Sequence, residues 1–313
     1  MRPSSTEGVR TYALPWCACL VLLCCWVQAG CSASPAKMAA SNLFAASAES
    51  FAADDDPALI GEASPFTLKL IETLIRSNPE DGGLLLAASR GFSQYAFGFI
   101  QQRADELEDK DLALARQYYE RARNLYRRAQ GYGWRGLDLA HPKIQEVLHK
   151  DLPKGLKVFK RKDVPLMYWT ALSLGGLINL SKDRAELIAE VPIMEGLMDR
   201  ALELDESFDA GAIHQFLAGY EMNRRHRKGD PAQLARNHFF RAVQLSQGKL
   251  AASFVILAET LAVREQNRAE FEKLLDTALK IDPNAAPQWR LANLLWQQRA
   301  RWLLARKEQL FTE

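Results

Sequence analysis

Apolar residues recur at spacings of three and four along most of this chain, and no stretch alternates in strand fashion. The plainest stretch is 229–283. There Asp230, Pro231 and Gln233 supply an N-cap, a first-turn proline and a capping-box partner, so a helix should start. Ala235, Phe239, Ala242 and Leu245 then fall on one stripe of a 3.6-residue period, and Gly248 ends it. Phe254, Val255, Leu257, Ala258, Leu261 and Ala262 predict a second helix. Phe271, Leu274, Leu275, Ala278 and Ile281 predict a third, closed by Asp282-Pro283.

Upstream the same period predicts a first helix over 65–77, opened by Ser64-Pro65 and carrying Phe66, Leu70, Ile71 and Leu74 on one side. A long helix follows over 82–107, with a broad apolar arc through Leu85, Leu86, Phe92, Tyr95, Phe99 and Ile100. Residues 164–181 are apolar nearly all round, which predicts a buried helix capped by Asp163. Gly175-Gly176 in its middle costs about 1 kcal/mol per glycine relative to alanine, so a packed neighbour or a ligand should come close there. Asp183 and Glu186 form a cap for a stretch over 187–204 with a kink at Val191-Pro192. These elements predict one all-α domain over 64–313, long enough for a sizeable core.

Gly131, Gly133 and Gly136 literally satisfy the G-x-G-x-x-G dinucleotide fingerprint. That motif needs a strand before it and a helix after it; here it follows an arginine-rich helical pattern and is expected to end that helix and lead into a loop. Residues 137–162, with scattered prolines and Lys157, Lys160, Arg161 and Lys162, read as an insertion. The basic run at 224–228 sits at a helix C-terminus, where it complements the helix dipole. Arg121, Arg123, Arg127 and Arg128 read as a solvated helix face.

The spacing Ala235-x3-Phe239-x2-Ala242 resembles the second helix of a tetratricopeptide unit, and Ala115-x3-Tyr119-x2-Ala122 repeats it. Taking Leu74, Ala122, Ala201, Ala242 and Ala278 as equivalent gives intervals of 48, 79, 41 and 36 residues, against a repeat of about 34. The resemblance therefore implies an irregular tetratricopeptide-like array, an α-solenoid, with an ordinary helical bundle as the alternative.

Residues 1–30 carry Arg2 and Arg10 before an uncharged apolar run, which reads as a signal peptide. Ala29-Gly30-Cys31 resembles the bacterial lipobox, with Gln28 departing from its aliphatic position, so Cys31 is the candidate lipidation site. The alternative is an uncleaved anchor, since 11–30 is long enough to span a bilayer. Residues 31–63 read as a tether, with Met38, Leu43, Phe44 and Phe51 as an uneven apolar face for a docking helix. All five cysteines lie at 17–31, so the body has no disulfide, thiolate metal site or cysteine nucleophile. Without residues 1–30 the balance is 38 basic to 37 acidic, which with an export signal argues against nucleic acid as partner.

No HExxH, GxSxG or P-loop occurs, and the five histidines show no zinc spacing, so neither an enzyme, a metal nor a cofactor is expected. Export, the lipobox cysteine and the segments PLMYWTALS, FDAGAIHQFLAGYE, GDPAQLARNHFFRAVQLSQGKLAASFVILAE and FEKLLDTAL resemble the TatT family. These are tetratricopeptide-like lipoproteins associated with tripartite ATP-independent periplasmic (TRAP) transporters. The resemblance implies an accessory role in the periplasm, anchored to a membrane through lipidated Cys31, beside a solute-binding subunit. The alternative is a general tetratricopeptide scaffold lipoprotein for envelope assembly. Terminal faces of a stacked array also leave self-association into a homo-oligomer open. Surplus apolar surface and polar-tipped aromatics at the breaks point to a cleft for a small hydrophobic or amphipathic solute, lined by Tyr132, Trp134, Tyr168, Trp169, His214 and Tyr220. Filling of the core is the plainer account of the same residues.

Overall fold

Side chains that take the first free backbone N–H groups set where most of the long helices begin. The computed structural model describes residues 47–224 and 229–312, so the expectations for the signal peptide, Cys31 and the apolar positions 38, 43 and 44 lie outside the described residues. All helices below belong to one unit, Phe44–Glu313. After a helical turn at 47–52 come α1 (Pro57–Ser77), α2 (Gly82–Tyr95), a π-helical stretch Ala96–Gln101 and α3 (Gln102–Leu107). Then follow α4 (Leu112–Ala140), α5 (Ile144–Lys150), α6 (Leu152–Lys157), α7 (Val164–Asn179), α8 (Ala185–Ile188), α9 (Val191–Leu204) and α10 (Ala212–Tyr220). The chain ends with α11 (Pro231–Leu245), α12 (Ala251–Leu257) continued by a second π-helical stretch Ala258–Ala262, α13 (Arg268–Lys280), α14 (Arg290–Ala305) and α15 (Lys307–Leu310). No strand occurs among the described residues, and the fold is all-α.

Asp56, Asp81, Asp111, Asp230 and Asn267 each accept a backbone N–H at the start of α1, α2, α4, α11 and α13. Because Asp56 and Pro57 form the stronger start signal, α1 begins at Pro57 rather than Pro65, which lies inside the helix. The expected caps at 163 and 183 are not made. Asp163 accepts from the Lys160 backbone N–H and from His141 instead, and α8 starts after Arg184 without a side-chain cap. Nor is there one kinked helix over 187–204: α8 and α9 are separate, and Pro192 sits in the first turn of α9.

Successive helices pack side by side. The α4–α7 contact is tight at two glycines of α4. A Cβ on Gly133 would lie 2.3 Å from Thr170 Oγ1, and one on Gly136 would lie 2.7 Å from Leu166 Cδ2. Leu166 and Thr170 are one turn apart on α7 and fill the groove these glycines leave. Gly131 to Gly136 therefore neither end a helix nor lead into a loop; α4 runs through them to Ala140, and packing against α7 needs the missing side chains of Gly133 and Gly136. On α7, Gly176 receives the ring of Tyr126 and Gly175 that of Phe216, so the expected close approach is made by side chains.

The small-aromatic-small stripe works as its spacing suggests. Ala235, Phe239 and Ala242 are buried, and a Cβ on Gly211, at φ +91, would meet the Ala242 Cα at 3.2 Å, so α10 comes close at the alanine. Gln297 of α14 donates to the carbonyls of Ala278 and Ile281 at 3.0 and 2.7 Å, satisfying the end of α13. Asn293 similarly accepts from Ala251 N and donates to Lys249 O at the start of α12, 2.9 Å each.

α14 and the residue after it also reach back to the first helices. The Phe97 and Trp296 rings lie 5.2 Å apart, Leu295 Cδ1 sits 3.3 Å from where a Gly98 Cβ would be, and Arg290 donates to the Ala53 carbonyl at 2.9 Å. Arg299 pairs with Asp105 at 2.8 Å and Arg306 with Asp109 at 3.0 Å. Helices far apart in sequence thus share a seam.

Candidate functional site

The aromatic residues singled out in the sequence divide among three environments. Trp134, Tyr168 and Trp169 are buried together with Met167, Leu174, Met194 and Leu197 in the cluster that joins α4, α7, α9 and α10. Tyr168 meets Trp169 edge-on at 5.0 Å and Phe208 at 5.3 Å, and the Arg90 guanidinium lies 5.7 Å over the Trp169 ring. The Trp134 indole N–H is buried without a hydrogen-bond partner. Burial raises the Tyr168 hydroxyl well above the usual tyrosine range, so it stays protonated.

Tyr132 stands apart, against α1 and α2. Its ring stacks on Phe92 at 5.9 Å and its hydroxyl donates to Glu72 at 2.9 Å. Burial, with help from Glu72, pushes the phenol up to about 12. Tyr220 borders the first cluster, stacked on the half-buried Phe216 at 5.5 Å, and its hydroxyl donates to Glu195 at 2.7 Å. The hydroxyls of Tyr132 and Tyr220 therefore already serve carboxylates of this chain.

His214 is buried on α10, where its Nδ1 faces the Nδ1 of His238 on α11 at 2.9 Å. One ring must donate and the other accept, which holds both in defined tautomers. Burial pulls the His214 imidazole below its ordinary range, with Glu206 opposing at 3.6 Å. Glu221 Oε1 lies 3.7 Å from His238 Nε2 and 3.4 Å from Arg224 Nη1. Arg224 also pairs with Asp199 and lies 3.7 Å from Glu195, so it serves an internal polar cluster and not only the end of a helix; 225–228 lie outside the described residues. His238 escaped the sequence reading, although its place three residues after Ala235 and four before Ala242 put it on the same buried stripe.

A second polar cluster had no local sequence signal. Arg299, 9 % exposed, donates from Nε to Glu259 at 2.7 Å and from Nη1 to Asp105 at 2.8 Å. Tyr119 donates to the other Asp105 oxygen at 2.8 Å. Burial raises the Asp105 carboxyl, with Arg299 opposing. For Arg299 burial works against the charge, but Glu259 and then Asp105 outweigh it and hold the guanidinium protonated. The aromatic of the second small-aromatic-small copy, Tyr119, is thus a contact in this cluster.

Among the described residues no group of three or more His, Cys, Asp or Glu could hold a metal ion, and no helix is long and apolar enough to cross a membrane. Two surface concavities stand out among the described residues. One, of about 270 Å³, lies between α11, α12 and α13 and is lined by Phe239, Phe240, Phe254, Leu257 and Leu274 with Arg236 and Lys273 at its rim. The other is an open depression beside His149 and Lys143. None of the six predicted cleft residues lines either.

The chain matches the TAtT family, described as TRAP transporter T-component, over residues 53–311. It belongs to that family. The match takes in every labelled helix, so the seam and both polar clusters lie within the region that defines the T-component. An uncharacterized protein of Treponema pallidum (strain Nichols) is 30 % identical over 267 residues, covering 84 % of this chain and 83 % of the relative. A TRAP transporter accessory component is not an enzyme class, and it is periplasmic or membrane-associated.

Proposed function

We propose that this T-component is a lipoprotein, held to a membrane through acylated Cys31, that binds the solute-binding subunit of its TRAP transporter in the periplasm. The family match over 53–311 carries this reading. The apolar run followed by Ala29-Gly30-Cys31 supports the anchor. The all-α body supports a tetratricopeptide-like array, a kind of fold whose open faces take protein partners.

The same reading includes a small apolar or amphipathic solute handed on by that subunit. Its seat is the cluster around Trp134, Tyr168 and Trp169, where the buried Trp134 N–H offers a donor and the stacked Phe216 and Tyr220 form the half-exposed border. Tyr132 and His214 belong to other contacts and drop out of this seat. Sedimentation of the purified T-component and the cognate solute-binding subunit, alone and mixed, should give a faster species only in the mixture. No shift at tens of micromolar would count against the partnership. Trp169→Ala should impair transport with the helical content intact, and unchanged transport would remove the solute from the proposal.

A further inference from the structure

Most of the apolar core lies in three clusters, and none of them spans the seam between α14 and the first helices. One is built on α1, α2 and α4, one on α4, α7, α9 and α10, and one on α11 to α14. The seam is instead made by the ring pair Phe97 and Trp296, by Leu295 on Gly98, and by charged side chains. Its apolar part is one ring pair and one leucine, so parting it exposes far less apolar surface than opening any of the three clusters would.

Its charges are arranged so that parting strands neither partner. Arg299 keeps a two-point pairing with Glu259, on its own side of the seam. Asp105 keeps the hydroxyl of Tyr119, on the other side. Removing one partner of a buried ion pair usually leaves an uncompensated charge; here Arg299 retains a counter-ion and Asp105 a hydrogen-bond donor. Arg306 likewise has the Trp302 ring 4.6 Å away on its own helix. Both π-helical stretches of the described chain meet this place, one carrying Phe97, Gly98 and Gln101, the other Glu259. Such stretches break the regular helical hydrogen-bond ladder and recur at working parts of proteins.

We propose that the seam is a side gate: it opens between Phe97 and Trp296 while both halves stay folded, and admits a guest with a flat or aliphatic apolar surface. The aromatic pair closes on itself at rest and offers two apolar faces to the guest when apart. The identity of the guest rests on the solute reading above, whereas the opening itself rests only on the seam.

The test uses the full chain with Cys17, Cys19, Cys24, Cys25 and Cys31 all changed to alanine, which leaves no native cysteine whether or not the chain is processed. In hydrogen exchange, Arg299→Gln should speed peptides over 96–107 and 290–305 about tenfold, with those over 164–179 and 268–280 within about twofold of the parent. Adding Gly98→Cys with Leu295→Cys should restore slow exchange at the seam when oxidised and release it on reduction. Seam peptides that do not respond, or peptides everywhere that rise together, would overturn the gate. Uptake of the apolar dye 8-anilinonaphthalene-1-sulfonate should be about tenfold slower in the oxidised than in the reduced pair. Equal uptake rates with a confirmed opening would overturn the gate as a route of entry. No uptake in either state would overturn the apolar guest while leaving the opening and the subunit partnership standing.

Discussion

Gly176 on α7 lies against the ring of Tyr126 on α4, so close that a Cβ there would be 2.7 Å from both Cε1 and Cζ. The ring has no room to yield. Tyr126 is buried, and its hydroxyl donates to Gln101 at 2.8 Å across the bundle. Gly176→Ala gains about 1 kcal/mol in helix propensity but overpacks by about 1–3 kcal/mol, so the net effect should be a loss. Gly131 is the control, since it is also inside a helix and a Cβ there meets nothing within 4 Å. Thermal melts should show Tm lowered by a few degrees for Gly176→Ala and unchanged or raised for Gly131→Ala. A rise for both would mean that the contact is soft.

His149 ties α5 to the residue before α9. Its Nδ1 lies 2.7 Å from the Gln145 carbonyl and its Nε2 2.8 Å from Glu190, and these bonds, the backbone one first, raise the imidazole above its ordinary 6.5. A raised folded pKa means the charged ring is favoured in the fold. Its contribution is complete below about pH 6.5 and disappears as pH rises through the folded value. The Tm difference between the parent and His149→Gln should accordingly be larger at pH 5.5 than at pH 8.5. A difference that grows with pH would contradict the assigned bonds.

The anchor predicts a change of compartment rather than of stability. Cys31→Ala should leave the protein unprocessed or free of membrane on fractionation, because two acyl chains on one residue suffice for stable attachment and the body has no spanning helix among its described residues. Normal processing together with normal membrane partition would exclude lipidation at Cys31.

Long helices and the Ala235, Phe239, Ala242 stripe were legible because period and capping are local properties of sequence. The run Gly131 to Gly136 misled for the same reason. Read locally, glycine ends a helix, but Gly133 and Gly136 answer to Leu166 and Thr170, whose nearness only the folded chain reveals. Of the cleft candidates, Trp134, Tyr168 and Trp169 share one buried cluster, whereas nothing local in the sequence could show that Tyr132 faces Glu72 or that His214 faces His238. Pairings such as Arg299 with Asp105 join residues with no common period, spacing or motif, so nothing in the linear pattern announces them.

Open solenoids can gain or lose a repeat at little cost, because each repeat touches only its neighbours. The hold of Arg290 on the Ala53 carbonyl, with Arg299 on Asp105 and Arg306 on Asp109, removes that freedom here. Adding or deleting a helix pair would carry the last helix out of register with the first ones and break every one of these contacts together. Changes to this chain can therefore lengthen its loops and alter its surfaces, but the number of helices between α1 and α14 is fixed by the need for the two ends to meet.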